Sequence, residues 1–451
     1  MLVNKSPRQP LPSPNRLVLG LVLLVLSGTF LLMLPFESTA RPLTWNEALF
    51  TATSALTVTG LATITPGSDL SFMGQVVLLG LIQVGGVGFM VVAVVILRLL
   101  GRRITLAERL ALSDSLGMLA PRAIINLTGR VLLTILLLEG LGALLLYLHW
   151  RNDPRLSEEK ALFFAIFHAV SAFCNAGFDL FSGTPGYPDG IPRDNLSLSI
   201  LGTLILVGGL GIPVIGDLLT YRNERRVSLH TRVTLIVVTF LVLVGTLGFF
   251  LAERRPDGTL ANEPLARQIL VCLFQSISAR TAGFAGIAEF ADLSTGSRLL
   301  MTVLMFIGCP PASMGGGITT GTFAALTISL WSYAQGHREA RWGGRTLAMG
   351  TVRRAAAVLT ISIFIVTLAS WLLLMTHPVS LEVAVFEVVS AFATCGLSLG
   401  LTGELNLFGQ LLICLMMFWG RLGALTVIIV IARPQSRPEL IQYPEEQILI
   451  G

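Results

Sequence analysis

Charge is scarce in this chain. Asp, Glu, Lys and Arg make up only 13% of its 451 residues, too few to cover the surface of a water-soluble protein of that length. Cysteine is also sparse: Cys174, Cys272, Cys309, Cys395 and Cys414 are odd in number and show no CxxC spacing, which argues against a disulfide framework or a zinc site. HExxH and a phosphate-binding loop are missing as well. Gly216-Asp217 matches part of the GxGD pattern of intramembrane proteases. That chemistry needs a second aspartate on a neighbouring helix, which no apolar span supplies, so the chain is not read as an enzyme.

Apolar residues are what the chain has in excess, at 53% hydrophobic with a mean hydropathy of +0.77. This is the composition of an all-α polytopic membrane protein. The net charge of +5 could suggest nucleic acid, but the arginines lie in short connectors between apolar runs and read as topology signals. The polar, Pro-rich start "MLVNKSPRQPLPSPNR" precedes a run from Leu17 to Leu34. That run is longer than a signal-peptide core, so it is read as a retained first helix, although Ser38-Thr39-Ala40 faintly resembles a cleavage site.

Spans of membrane-crossing length are expected at Leu17–Leu34, Phe72–Leu100, Val131–Leu148, Leu196–Leu219, Val233–Leu251, Leu299–Trp331, Ala355–Met375 and Leu407–Ile431. Shorter segments lie between the members of each pair: Trp45–Ser54, Lys160–Ala172, Pro264–Ser278 and Ser380–Ala391. They are too short to cross a bilayer and fit re-entrant half-helices. Each is followed by a related string, "SALTVTGL", "SAFCNAGF", "SARTAGF" and "SAFATCGL", whose glycines are Gly60, Gly177, Gly283 and Gly396. A lone copy would read as small-residue helix packing. Four copies, each at the same place in its unit, indicate a fourfold internal repeat of helix, half-helix, glycine loop and helix.

The expected organisation is a tail over 1–16, repeats over 17–120, 121–228, 229–348 and 349–433, and a tail over 434–451. Arg98, Arg102, Arg103, Arg109 and Arg122, then Arg222, Arg225, Arg226 and Arg232, then Arg338, Arg341, Arg345, Arg353 and Arg354 flank the connectors between repeats. The positive-inside rule makes these connectors and both termini cytoplasmic. Beyond the glycines, Asp69, Asp179, Asp189, Asp194, Glu289, Asp292 and Glu404 outnumber Arg193 and Arg298, an acidic outer mouth that would concentrate cations.

Irregular backbone is tolerated at membrane depth only where it is buried in protein or lines a watery cavity. Four such loops around a pseudo-fourfold axis could present carbonyls that replace a cation's hydration shell. The half-helices would aim their partially negative C-terminal ends at the same ring, and Thr44 and Glu47 have capping-box spacing at the start of the first. Only glycine is common to the four strings, as expected where main chain rather than side chain coordinates.

These residues resemble the Trk/Ktr/HKT superfamily of potassium transporters, most closely the Ktr-type pore-forming subunit. The strings "LIQVGGVGFM", "RRITLAERLALSDSLG", "PPASMGGGITT" and "FWGRLGALT" extend the likeness over nearly the whole chain. The resemblance implies a selectivity filter at Val58-Thr59-Gly60, Asn175-Ala176-Gly177, Thr281-Ala282-Gly283 and Thr394-Cys395-Gly396, holding potassium on carbonyls. It also implies a gate in the Pro- and Gly-broken segment 308–321, through Ala312, Ser313, Met314, Gly315, Gly316 and Gly317. Thr319 stands where family members commonly carry lysine.

Arg421, a charge in the middle of the last apolar span, either faces the pore as a barrier beside that loop or caps buried carbonyls. Glu139, Asp217 and His168 are read as packing or helix-pairing groups. The family further implies a homodimer in the plasma membrane on a cytosolic ring of RCK-type nucleotide-binding subunits, with no organic cofactor on this chain. Sodium enters as activator or coupling ion, and a sodium- or proton-coupled symporter on the same scaffold is the alternative reading.

Overall fold

The computed structural model describes residues 13–34, 38, 41–88, 124–184, 186–187, 190–224, 227–256, 258–287 and 290–423. The arginines from Arg98 to Arg122, the "RRITLAERLALSDSLG" string, Asp189, Glu289 and the C-terminal tail lie outside the described residues. Helices α1 (Ser13–Leu32), α2 (Trp45–Thr57) and α3 (Phe72–Val87) open the chain. They are followed by α4 (Ile124–Trp150), α5 (Glu158–Phe173), α6 (Asn195–Gly209) and α7 (Ile212–Glu224). Then come α8 (Leu229–Glu253), α9 (Leu265–Ser278), α10 (Thr295–Phe306), α11 (Thr320–Ala334), α12 (Met349–Thr376), α13 (Leu381–Phe392) and α14 (Leu407–Leu422). A two-residue hairpin, β1 (Arg341–Trp342) with β2 (Arg345–Thr346), turns the chain from α11 to α12. Gly343 and Gly344 at its tip both have positive φ, as a tight hairpin turn requires.

The half-helices α2, α5, α9 and α13 form where the sequence places them. They span 13, 16, 14 and 12 residues, at most about 24 Å against a hydrocarbon core of about 30 Å. Three of the four starts are capped by side chains, while α9 follows Pro264 without one. Glu47 accepts the Thr44 N–H at 2.9 Å, and the Ser157 and Ser380 hydroxyls accept from Lys160 and Val383. Each following helix packs on the next half-helix around the molecule: α3 on α5, α6 on α9, α10 on α13, and α14 back on α2. The Asn46 amide donates to Gln410 Oε1 at 2.8 Å across that last contact.

Among the described residues three helices are long and apolar enough to cross a membrane, Gly129–Trp150, Leu229–Glu253 and Met349–Thr376; the expected spans Phe72–Leu100 and Leu407–Ile431 run beyond the described residues. The expected span Leu196–Leu219 is instead two helices, Asn195–Gly209 and Ile212–Tyr221, bent by 92°. Gly208, Gly209 and Gly211 weaken helix here, Gly211 has φ +88, and Pro213 cannot donate a helical hydrogen bond. The span Leu299–Trp331 divides into α10 and α11 around the Pro- and Gly-rich loop, at the expected break.

Outside the membrane spans, Asp153 ties two connectors together. It accepts from Arg155 Nη2 at 2.8 Å and from the Tyr187 hydroxyl at 2.6 Å, while the Arg155 guanidinium lies 4.3 Å over the Tyr187 ring. The Arg155 hydrogen bond, helped by Tyr187, holds the Asp153 carboxyl well below the usual carboxylate range. A depressed folded-state pKa stabilises the protein above the ordinary value of about 4, and the contribution fades as pH falls from there through the depressed value. The thermal midpoint of wild type should therefore exceed that of Asp153→Asn at neutral pH, with the gap closing as pH drops below about 4. A gap independent of pH would contradict this account.

Candidate functional site

Three of the four half-helices end alike. Val58 donates to the Ala55 carbonyl and Thr59 to that of Ser54; Asn175 and Ala176 repeat the pattern on Ala172 and Ser171, and Thr394 and Cys395 repeat it on Ala391 and Ser390. This is the paired closure of a helix C-terminus that places its turning residue in the left-handed region, normally a glycine. Here the turning residues are Val58, Asn175 and Thr394, with φ of 58, 58 and 51°, and Thr281 reaches φ 71° in the one-residue-shorter third string. Non-glycine residues held so cost about 1–3 kcal/mol each and persist only where the surroundings impose the geometry. The glycine two residues later also has positive φ in every string: 91° at Gly60, 68° at Gly177, 77° at Gly283 and 90° at Gly396.

The strings meet in cyclic order. A side chain on Gly60 would overlap the Ala176 carbonyl oxygen, one on Gly283 that of Cys395, and one on Gly396 that of Thr59. On Gly177 a Cβ would sit 2.7 Å from the Ala282 carbonyl oxygen. Each glycine thus faces the carbonyl before the next glycine, and the fourth returns to the first. All four glycines line one cavity of about 410 Å³, with Asp179, Ser182, Ser398 and Thr402 on its wall. Main-chain oxygen thus lies against each glycine of the ring.

On the other side of the ring lies the loop between α10 and α11. Ile307 and Ile318 bridge its two ends, and the Cys309 carbonyl accepts from Thr320 at 3.1 Å. Cys309 Sγ lies 3.0 Å from Thr281 Oγ1. A side chain on Gly315 would overlap Thr281 Oγ1, one on Gly316 would meet Thr394 Oγ1 at 2.8 Å, and one on Gly317 would approach Ala393 at 3.2 Å. The loop consequently presses directly on the third and fourth strings. Ala312 has φ 56°, and its carbonyl accepts from Ile212 at 3.1 Å, so the loop also rests on the start of α7. Met314 is buried. Ser313, whose backbone donates to the Pro310 carbonyl at 3.3 Å, has a buried hydroxyl with no partner among the described residues. Thr319 caps α11, its hydroxyl accepting from the Thr322 N–H at 3.3 Å.

Arg421 makes the contacts of a carbonyl cap, one of the two alternatives that the sequence leaves open. Its guanidinium donates to the Met314 carbonyl in the loop and to the Gly85 carbonyl at the end of α3, with a longer bond of 3.4 Å to the Gly86 carbonyl. It caps carbonyls, and one of them belongs to the loop.

The position of Arg421 follows a pattern that sequence reading passed over. The helix after each half-helix ends in related residues in three repeats: Gly85-Gly86-Val87-Gly88, Gly208-Gly209-Leu210-Gly211 and Gly420-Arg421-Leu422-Gly423. The last glycine of each has positive φ, at 90, 88 and 81°. The first lies against a half-helix carbonyl, where a Cβ on Gly85, Gly208 or Gly420 would overlap the carbonyl of Leu56, Phe173 or Phe392. Arg421 occupies the place of Gly86 and Gly209, so a cation stands once where two sister repeats have no side chain. The recurring Gly-x-[VL]-Gly was the available signal.

Glu139, Asp217 and His168 pair elements. Glu139 accepts from Gln83 Nε2 at 3.0 Å, joining α4 to α3. Asp217 accepts from the Ser228 and Thr231 hydroxyls, each at 2.5 Å, at the start of α8. His168 Nε2 lies 3.0 Å from Asp179 Oδ1. The residues Gly396-Leu397-Ser398-Leu399-Gly400 spell the GxSxG of a hydrolase nucleophile turn, yet the Ser398 hydroxyl donates to Glu387 at 2.7 Å and, among the described residues, bonds to no histidine.

A family profile described as "Cation transport protein", TrkH, matches residues 17–441. The Ktr system potassium uptake protein B of Vibrio alginolyticus is 36% identical over 442 residues, covering 97% of this chain and 95% of the relative. The potassium/sodium uptake protein NtpJ of Enterococcus hirae is 33% identical over the full length of both chains. Among solved structures, the potassium transporter TrkH from Vibrio parahaemolyticus shares the fold with a TM-score of 0.72 at 21% identity, covering 94% of this chain and 86% of that one. These relatives are named for transport and not for an enzymatic reaction. With its all-helical fold, its near full-length relatives and its match to the profile over residues 17–441, the chain belongs to the TrkH family of cation transport proteins.

Proposed function

We propose that this chain is the pore-forming subunit of a potassium uptake system of the plasma membrane. The observation that carries the reading is the closed cycle in which Gly60, Gly177, Gly283 and Gly396 each abut the carbonyl of the next string. In this reading Val58-Thr59-Gly60, Asn175-Ala176-Gly177, Thr281-Ala282-Gly283 and Thr394-Cys395-Gly396 form the selectivity filter. A partly dehydrated potassium ion exchanges water for their carbonyl oxygens. The C-terminal ends of the four half-helices add favourable potential, and Asp179 on the outer cavity wall helps gather cations. Loop 308–321, pinned by Arg421, closes the route beneath.

The repeats occupy 17–120, 121–228, 229–348 and 349–433, with both termini cytoplasmic. The names of the Ktr relatives, as parts of a system, support assembly with other subunits; in this reading the chain is a homodimer on an RCK-type cytosolic ring. The single glycine per string gives a shorter carbonyl ladder than a potassium channel's, hence real but imperfect exclusion of sodium.

Expression in a cell lacking its own potassium uptake is the direct test. The wild-type chain with its cytosolic partner should restore growth on low potassium and accumulate rubidium; a well-expressed chain that does neither defeats the reading. Because a relative is named for potassium and sodium together, the same assay run with and without external sodium separates the alternatives. Uptake that vanishes without sodium indicates a coupled symporter.

A further inference from the structure

Three residues before the serine that opens each string, the half-helices carry Thr51, His168, Gln275 and Glu387. The four differ in chemistry, and all are fully buried behind the ring. In three repeats the side chain reaches forward to the segment that leaves the glycine. The Glu387 carboxylate accepts the Ser398 hydroxyl at 2.7 Å and the Thr402 hydroxyl. Gln275 Oε1 accepts the Gly286 N–H at 3.0 Å. His168 Nδ1 lies 2.7 Å from the Phe164 carbonyl and must donate to it, while Nε2 faces Asp179 Oδ1 at 3.0 Å and the Leu180 N–H at 3.3 Å. In the first repeat the Thr51 hydroxyl has no partner among the described residues.

We propose that Glu387, Gln275 and His168 are positioning residues for ion discrimination. Each ties down the segment beyond its glycine, Glu387 through the Ser398 and Thr402 hydroxyls, Gln275 through the Gly286 N–H and His168 at Asp179 and Leu180, so that the carbonyl ring cannot contract around an ion smaller than potassium. The inference rests on the filter reading above. Glu387 is the strongest of the three, because one buried carboxyl group gathers two hydroxyls from separate residues of the outgoing segment. The first string, lacking such a tie, is the one whose outer segment is held by packing alone at this position.

The test measures rubidium and sodium uptake by the full-length chain in a potassium-uptake-deficient cell, with membrane abundance and gel-filtration behaviour checked for each variant. Glu387→Ala should lower the rubidium-to-sodium ratio by about tenfold, the scale of losing two buried hydrogen bonds. Glu387→Gln keeps an oxygen for one hydroxyl and should stay within about threefold of wild type, and Thr51→Val should leave the ratio unchanged. A wild-type ratio in Glu387→Ala overturns the proposal, as does an equal loss in Thr51→Val, which would mark a general packing effect. If Glu387→Ala fails to reach the membrane, the Ser398→Ala/Thr402→Val double variant removes the same bonds while leaving the acid, and an unaltered ratio there overturns the proposal equally. Gly396→Ser serves as reference: if it shifts the ratio and the tie variants do not, this inference alone falls; if it too leaves the ratio unchanged, the filter reading falls with it.

Discussion

Gly396→Ser is expected to remove most discrimination between potassium and sodium, lowering the uptake ratio by tenfold or more, about 1.4 kcal/mol or greater. Two effects act together. The residue has φ +90, where a side chain is strained, and its Cβ would overlap the Thr59 carbonyl oxygen. That oxygen belongs to the ring, so the collision is relieved only by turning this carbonyl away or by spreading the ring. Gly60→Ser should act alike through Ala176. Gly296→Ala is the matched control, since Gly296 has open space around it and no positive φ. Ratios unchanged in both ring variants, with uptake intact, would place ion selection elsewhere.

The second large effect is expected at Arg421. Removing its guanidinium in Arg421→Ala takes away the bonds to the Met314, Gly85 and Gly86 carbonyls and the positive charge beneath the ring. Charge-assisted bonds contribute about 1.5–3 kcal/mol each, so freeing the loop should raise basal potassium flux by about tenfold or more. Arg421→Lys should fall between, because an ammonium cannot fork to carbonyls on two segments as a planar guanidinium does. Shortening the loop within Ala312–Gly317 should move flux in the same direction. Lower or unchanged flux from a well-folded Arg421→Ala would leave the residue a purely architectural cap.

Much of this arrangement is legible in the sequence, because glycine records where backbone must leave ordinary conformations. Gly60, Gly177, Gly283 and Gly396 mark the ring, and Pro310, Pro311 and Gly315–Gly317 mark the loop. What stayed hidden has physical causes. Val58 and Thr394 are β-branched and disfavour the left-handed region, so nothing local announces that they occupy it; the packed ring imposes it. The 92° bend at Gly211 was passed over although Gly208, Gly209, Gly211 and Pro213 carry its signal, because a span read from its mostly apolar composition does not separate a continuous helix from a broken one. The cyclic order of the strings is a tertiary fact that no single repeat encodes. Likewise the acceptor role of Glu387 depends on Ser398 and Thr402, which share no periodicity with it.

The joint between Gly396 and Thr59, reinforced by Asn46 on Gln410, has a consequence for biogenesis. The amino-terminal quarter must wait in the bilayer, its Gly60 string missing one neighbour, until translation delivers the carboxy-terminal quarter. Contacts so distant along the chain form late and slowly. Truncated nascent chains are therefore expected to expose an incomplete, polar-lined notch to lipid, a natural target for membrane quality-control proteases.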